Sequence, residues 1–316
     1  MSNCDSCPSK GKCSKIKIEY NPKNSVKHVI AVMSGKGGVG KSTVSVLLAK
    51  ELNKRGYKVG LLDADITGPS IPRLVGTVGE RAAMIDSEIL PITSPDGIKT
   101  MSLNYFIEEE SQPVVWRGPM ISGAVKQFWT DVIWGEIDFL VVDLPPGTGD
   151  VTLTVMQQMP VTGVVGVAVP QSMVTMIVTK AIKMMQLMNK PVFGIVENMS
   201  YIECPDCGKQ MELYEGKYGY HEFEDMGIDI LAEYPMVPDL MMQYATEGTT
   251  VNLQTKALAD AVVANAEAVV ADDDCCGCNG GCDGNCEDCD SEDCESCANR
   301  DSCGGSCNGN CESCGH

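Results

Sequence analysis

The stretch Gly35-Lys36-Gly37-Gly38-Val39-Gly40-Lys41-Ser42-Thr43 follows G-x-x-x-x-G-K-S/T and carries a second lysine directly after its first glycine. It constrains the fold more than any other part of the chain. A cradle for the phosphates of a nucleoside triphosphate needs backbone N–H groups turned inward, which glycine permits, and a helix N-terminus facing the anion. Such a loop works only between a strand and a helix. Both flanks read that way: His28 to Met33 is an apolar run suited to a buried strand, and Ser42 to Leu52 has helical apolar spacing that ends at Gly56. In this setting Gly35, Gly37, Gly38, Val39, Gly40 and Thr43 form the cradle of ATP. Lys41 reaches the β- and γ-phosphates, and Ser42 offers its hydroxyl to Mg2+. Lys36 has two readings, a solvated loop charge or a group reaching the phosphates of a nucleotide in a facing subunit.

Once the cysteine-rich ends are set aside, about 250 residues remain, which suits one large α/β domain. Strand-like runs recur at Lys58 to Asp63, Phe139 to Asp143, Val164 to Val169 and Val192 to Val196, with helical stretches between them. The expected fold is a mostly parallel sheet with helices on both faces. The expected division is a cysteine-containing arm at 1–24, the ATPase domain at 25–271 with a C-x-x-C loop near 199–222, and an acidic cysteine-rich tail at 272–316 that cannot build a core without metal. No apolar run is long enough to span a bilayer and no basic-then-apolar leader begins the chain, so a cytoplasmic location and no membrane contact are expected. Seventeen cysteines in a reducing compartment then point to metal rather than disulfides. The formal charge of −19 argues against nucleic acid as a partner, although much of it lies in the tail.

Acidic residues at strand ends supply what nucleotide hydrolysis needs. Asp143 closes the apolar run Phe139-Leu140-Val141-Val142 and precedes Leu144-Pro145-Pro146-Gly147. There it can orient magnesium and its water, while Gly147 lets a loop approach the γ-phosphate and sense its loss. Asp63 and Asp65 close another strand, with Asp65 suited to positioning the attacking water and Asp63 to supporting the metal shell. The plain alternative for both is a polar loop after a strand; carboxylates at strand carboxyl ends, however, face the ligand crevice.

The lysine-bearing loop together with LLDADITGPSIP, VVWRGPM, VVDLPPGTGD and GIVENMSYIECPDCG resembles the Mrp/ApbC family of iron–sulfur cluster carrier ATPases. That family is a branch of the MinD- and ParA-like, SIMIBI-type P-loop NTPases with a deviant Walker A motif. The resemblance spans Val26 to Val270. It implies a homodimer with two ATP sites at the interface, Lys36 crossing between subunits, and Asn198 contacting adenine. An amide after a core strand can also, on its own chemistry, donate to and accept from a purine edge. The activity implied is ATP hydrolysis coupled to carrying a cluster and passing it to apo iron–sulfur proteins, with cluster-assembly proteins as further partners.

Cys204 and Cys207, at C-x-x-C spacing, supply half of a four-ligand site. Two pairs across a two-fold axis make four thiolates, enough for a [4Fe–4S] cluster shared between chains, which the resemblance also implies. The competing reading is half of a zinc ribbon, with His221 as a third ligand.

Cys4, Cys7 and Cys13, with gaps of two and five residues, resemble the ferredoxin-like arm of the Nbp-type relatives, which has four cysteines where this chain has three. They bind a cluster with a ligand from elsewhere, or zinc. The tail holds twelve cysteines, and CNGGCDGNCEDC (Cys278 to Cys289) and CGGSCNGNCESC (Cys303 to Cys314) share gaps of three, three and two. This repeat points to thiolate metal sites, either additional iron–sulfur or a store for zinc or copper; the alternative is a disordered tail that binds metal adventitiously. The methionines at 173, 176, 184, 185 and 188 suit the packing face of a helix. Other functional readings remain: a metallochaperone ATPase for zinc, nickel or copper, a ParA/MinD-like positioning ATPase, and a passive metal store.

Overall fold

A computed structural model of the chain describes residues 18–65, 68, 70–85, 88–107, 118–204, 206–213, 223 and 225–274. The three arm cysteines, His221, Trp116, Arg117 and the cysteines of the tail lie outside the described residues. The chain separates into a compact unit of Ser14–Ala266 and a second unit of Met1–Cys13 with Glu267–His316. Of the second, only the end of the last helix is described.

Elements follow in chain order: β1 (Ser25–Ser34), α1 (Lys41–Lys54), β2 (Val59–Asp63), α2 (Ile71–Val75), β3 (Met84–Ile85), β4 (Glu88–Ile89), β5 (Ile92–Thr93), β6 (Lys99–Met101), a 3-10 turn (Leu103–Phe106), α3 (Gly118–Thr130), β7 (Glu136–Asp143), α4 (Asp150–Gln158), β8 (Gly163–Ala168), α5 (Ser172–Leu187), β9 (Val192–Glu197), β10 (Tyr201–Glu203), β11 (Gln210–Glu212), β12 (Ile230–Glu233), α6 (Leu240–Ala245) and α7 (Thr250–Asp274). Eight strands form one sheet in the order β12-β9-β8-β1-β7-β2-β6-β5. Every pairing in it is parallel except β5 with β6. Parallel strands covered on both faces are apolar throughout. Accordingly β8 is buried at all six positions and β1 over its last six.

Successive residues of β1 serve opposite faces of the sheet. Val29, Ala31 and Met33 join a cluster with Val125, Phe128 and Trp129 of α3 and Val155 of α4. Ile30 and Val32 are equally buried but stand outside that cluster. Helix α1 buries Val44, Leu47, Leu48 and Leu52 at helical spacing. It starts one residue before the expected Ser42 and runs to Lys54, two residues before Gly56, whose φ of 91° stops it. Of the methionine stripe, Met185 is fully buried and Met184 and Met188 pack against the core.

Sheet order and register position the chemistry. β1 lies between β7 and β8, so the crossover leaving it runs to the β2 side and the last three strands of the sheet lie on the other. With β7, β2, β6 and β5 on one side of β1 and β8, β9 and β12 on the other, the direction of winding reverses at β1 and opens a crevice beyond the carboxyl ends of the strands. Asp143 pairs in register with Val32 of β1 and with Asp63 of β2. The two carboxylates and the loop leaving β1 therefore emerge side by side.

Candidate functional site

The loop Gly35 to Gly40 joins β1 directly to α1. Gly40 precedes the helix with φ 86°, a left-handed backbone that suits glycine, and a Cβ there would overlap the Nδ2 atom of Asn198. Lys36, Gly37 and Gly38 are exposed and Val39 is buried. Ser34 Oγ donates to the Lys36 carbonyl (3.0 Å), holding the start of the loop.

Three groups of α1 converge on Asp143. Lys41 Nζ lies 2.7 Å from Asp143 Oδ1, with side-chain exposures of 6% and 0%. Ser42 Oγ donates to Oδ2 (2.6 Å) and Ser45 Oγ to Oδ1 (2.8 Å). The buried carboxylate is thus fully paired, as burial of a charge demands. Ser45 escaped the sequence reading. It stands one helical turn beyond Lys41 and Ser42, and that spacing was the signal available.

Asp63 is 1% exposed. Burial, with the Asp143 carboxylate beside it, pushes its carboxyl up to about 8, against the pull of the Ile71 N–H and Lys41. Its Oδ2 accepts from Ile71 N–H and from Ser102 Oγ (both 3.2 Å). Its Oδ1 accepts from the backbone N–H of Asp65 (3.2 Å). Asp65 itself is half-buried at the crevice end of the strand. Ser102, 39 residues beyond Asp63, was also not legible in the sequence. Gly147, φ 86°, donates its N–H to Ser34 O (2.7 Å), which sets the loop after Asp143 against the strand that feeds the phosphate loop.

Asn198 is wholly buried. Its Nδ2 donates to Val39 O (2.9 Å), whereas its Oδ1 has no hydrogen-bond partner among the described residues. One of the two Nδ2 hydrogens is therefore committed to the loop, and the acceptor Oδ1 is left for a ligand.

The cysteines stand apart from these groups, in the turn of the antiparallel hairpin β10–β11. Cys204 N–H donates to Lys209 O (3.0 Å) and Gly208 N–H to Cys204 O (2.9 Å), closing the turn at Gly208, φ 70°. Cys204 is half-buried and Cys207 exposed, and both are free thiols. The backbone N–H groups of Asp206 and Cys207 point at Cys204 and, with the Cys207 thiol, draw its pKa below the ordinary thiol value. No cluster of three or more metal-binding side chains occurs among the described residues. Nor is any described helix long and apolar enough to cross a membrane.

The glycine loop, the serine and lysine that open α1, and the Asp63/Asp143 pair fit a nucleotide with its metal: Lys41 and Ser42 already hold an anionic carboxylate, and Asn198 Oδ1 is a buried acceptor in need of a donor. Comparison with known proteins agrees with that fit. Residues 25–270 match the family model described as NUBPL iron-transfer P-loop NTPase, under ParA. The iron–sulfur cluster carrier protein of Clostridium perfringens strain 13 is 46% identical over 258 residues, covering 76% of this chain and 90% of that protein. The protein of the same name from Methanocaldococcus jannaschii is 44% identical over 242 residues, with 74% and 83% covered. A solved nucleotide-binding protein of Archaeoglobus fulgidus, in complex with ADP and with cobalt found in it, shares 41% identity at a TM-score of 0.60. The match covers 73% of this chain and 88% of that one. The cell division ATPase MinD of Pyrococcus furiosus shares the fold at 16% identity and a TM-score of 0.53, with 75% and 99% covered.

Proposed function

The chain belongs to the NUBPL iron-transfer P-loop NTPase family, and from that premise we propose that it is an ATP-hydrolysing carrier of iron–sulfur clusters. The cargo is a [4Fe–4S] cluster bound between two copies of the chain and passed to apo-proteins, in exchange with cluster-assembly proteins. The relatives named as iron–sulfur cluster carriers support the class of cargo. The observation that carries the reading is the hairpin that presents Cys204 and Cys207 as two unpaired thiols. Two thiolates are half of what a cluster takes, and a two-fold axis doubles them.

In the nucleotide site, Lys41 exchanges its contact with Asp143 for the β- and γ-phosphates, whose charge competes for the same ammonium. Ser42 and Asp143 would hold Mg2+, which would neutralise phosphate charge. Asp63, held by Ile71 N–H and Ser102 Oγ, supports the metal shell. The half-buried Asp65 is left to orient the attacking water. Asn198 Oδ1, an acceptor, matches the 6-amino group of adenine. Exposed Lys36 reaches the nucleotide of the facing subunit, and Gly147 follows the γ-phosphate. ATP binding tightens the dimer around the cluster and hydrolysis loosens it. The three arm cysteines, Cys4, Cys7 and Cys13, bind metal, either a second cluster or zinc. The protein works in the cytoplasm, without nucleic acid or membrane.

Anaerobic purification tests this, with iron, acid-labile sulfide and zinc measured per dimer in the wild type and in Cys204→Ala/Cys207→Ala. Near-equal iron and sulfide that fall in the variant are expected. Zinc without sulfide at the hairpin would overturn the cluster reading in favour of zinc delivery or a structural zinc.

A further inference from the structure

Asn198 stands between the two halves of the site. Its amide donates to Val39 O (2.9 Å) in the phosphate loop, and its backbone N–H donates to Ala168 O (2.8 Å) at the end of β8. There is no slack at this contact: Asn198 is completely buried, and Gly40 has no room for even one more carbon against it. Any shift of Val39 or Gly40 must therefore move Asn198 or break its bond.

The next residue is Met199, with φ 54°. It and Asn189 are the only non-glycine residues with positive φ among those described. Asparagine tolerates that region, whereas methionine is held there only by its surroundings. From Met199 the chain enters the hairpin fastened to the segment after β12: Ser200 N–H donates to Tyr234 O (3.0 Å) and Met236 N–H to Tyr201 O (2.7 Å). Tyr201 begins β10, whose last residue directly precedes Cys204. The path from the phosphate loop to the first thiol thus runs through one side-chain hydrogen bond and six residues of backbone (204 − 198).

We propose that Asn198, with Met199 as its hinge, is the positioning residue through which the state of the phosphate loop sets the exposure of Cys204 and Cys207. This rests on the reading that nucleotide and cysteines serve one cycle. Coupling of this kind is reciprocal, so occupancy of the hairpin changes nucleotide affinity by the same factor.

The test uses the full chain, reduced and free of metal. Iodoacetamide alkylation rates of Cys204 and Cys207 are read by mass spectrometry with no nucleotide, with saturating MgADP, and with a saturating non-hydrolysable ATP analogue and Mg2+. In the wild type the two nucleotide states should differ by about 5-fold or more, and in Asn198→Ala and Met199→Gly by less than about 2-fold. Glycine adopts φ 54° freely, so Met199→Gly should fold and bind nucleotide, and it decides the matter if Asn198→Ala does not fold. Equal rates in all wild-type states, or wild-type differences retained in Met199→Gly, would overturn the proposal. Because the readout is thiol reactivity without metal, a protein that proves to carry no cluster still reports on the coupling.

Discussion

The nucleotide end and the cysteine hairpin obey opposite rules. Around Asp143 every charge is buried and answered within one chain: Lys41, Ser42 and Ser45 all reach the same carboxylate, on strands and a helix at the centre of an eight-stranded sheet. The hairpin is a two-stranded ribbon of three residues a side, with Cys204 half-buried, Cys207 exposed and both thiols free. The first is prepared before any ligand arrives, because groups that must stabilise phosphate charge act best when already oriented. The second leaves a thiol exposed, which suits a cargo that has to leave. Preorganisation fits a permanent reagent, and exposure fits a passenger.

Substitutions can break this contrast, and the largest effect belongs to Lys41→Ala. Loss of a charged donor to the transferred phosphoryl group should lower ATP hydrolysis by roughly 10²–10³-fold, measured by phosphate release. Hydrolysis within tenfold of wild type would mean that the buried lysine is structural. Ser45→Ala comes next. Removing a buried hydroxyl from Asp143 should destabilise the fold by about 1–3 kcal/mol in denaturant titration. An unchanged midpoint would show that Lys41 and Ser42 satisfy Asp143 alone.

Asp63→Asn sharpens the comparison through pH. The folded-state carboxyl titrates near 8 against an ordinary 3.8, so the folded chain keeps a proton that the unfolded chain releases. Its contribution to stability is full below about 4 and is lost as pH rises towards about 8. The variant should therefore gain on the wild type in melting temperature from pH 5 to pH 8, without nucleotide. Parallel melting profiles would contradict the raised value. The smallest effect is expected of Cys204→Ser/Cys207→Ser: on an exposed turn, stability should stay within about 0.5 kcal/mol of wild type and nucleotide binding should persist. A collapse of the fold would make the hairpin a structural element instead.

The nucleotide site was largely legible because its signals are local. A contiguous glycine motif fixes nine positions, and a carboxylate closing an apolar strand is recognisable at Asp143 and at Asp63. Two further partners of those carboxylates are set by the fold. Ser45 meets Asp143 across 98 residues and Ser102 meets Asp63 across 39. Nor does the sequence place Asn198 against Val39, 159 residues away, whose carbonyl takes one of its amide hydrogens. Among the strands, the long apolar ones were foreseen, whereas β5, β6 and β12, of two to four residues, carry too little pattern to register.

The sequence by itself determined which reactive groups exist and in what order they leave the strands, because spacing along a chain fixes which side chains share a turn of helix or the end of a strand. Only the tertiary structure decided which of them touch. The register of β7 against β1 and β2 puts two carboxylates side by side and raises one pKa. The placement of β9 brings Asn198 under the phosphate loop. Hydrogen bonds and desolvation act over a few ångströms, and distances of that size between residues far apart in sequence are set by packing alone.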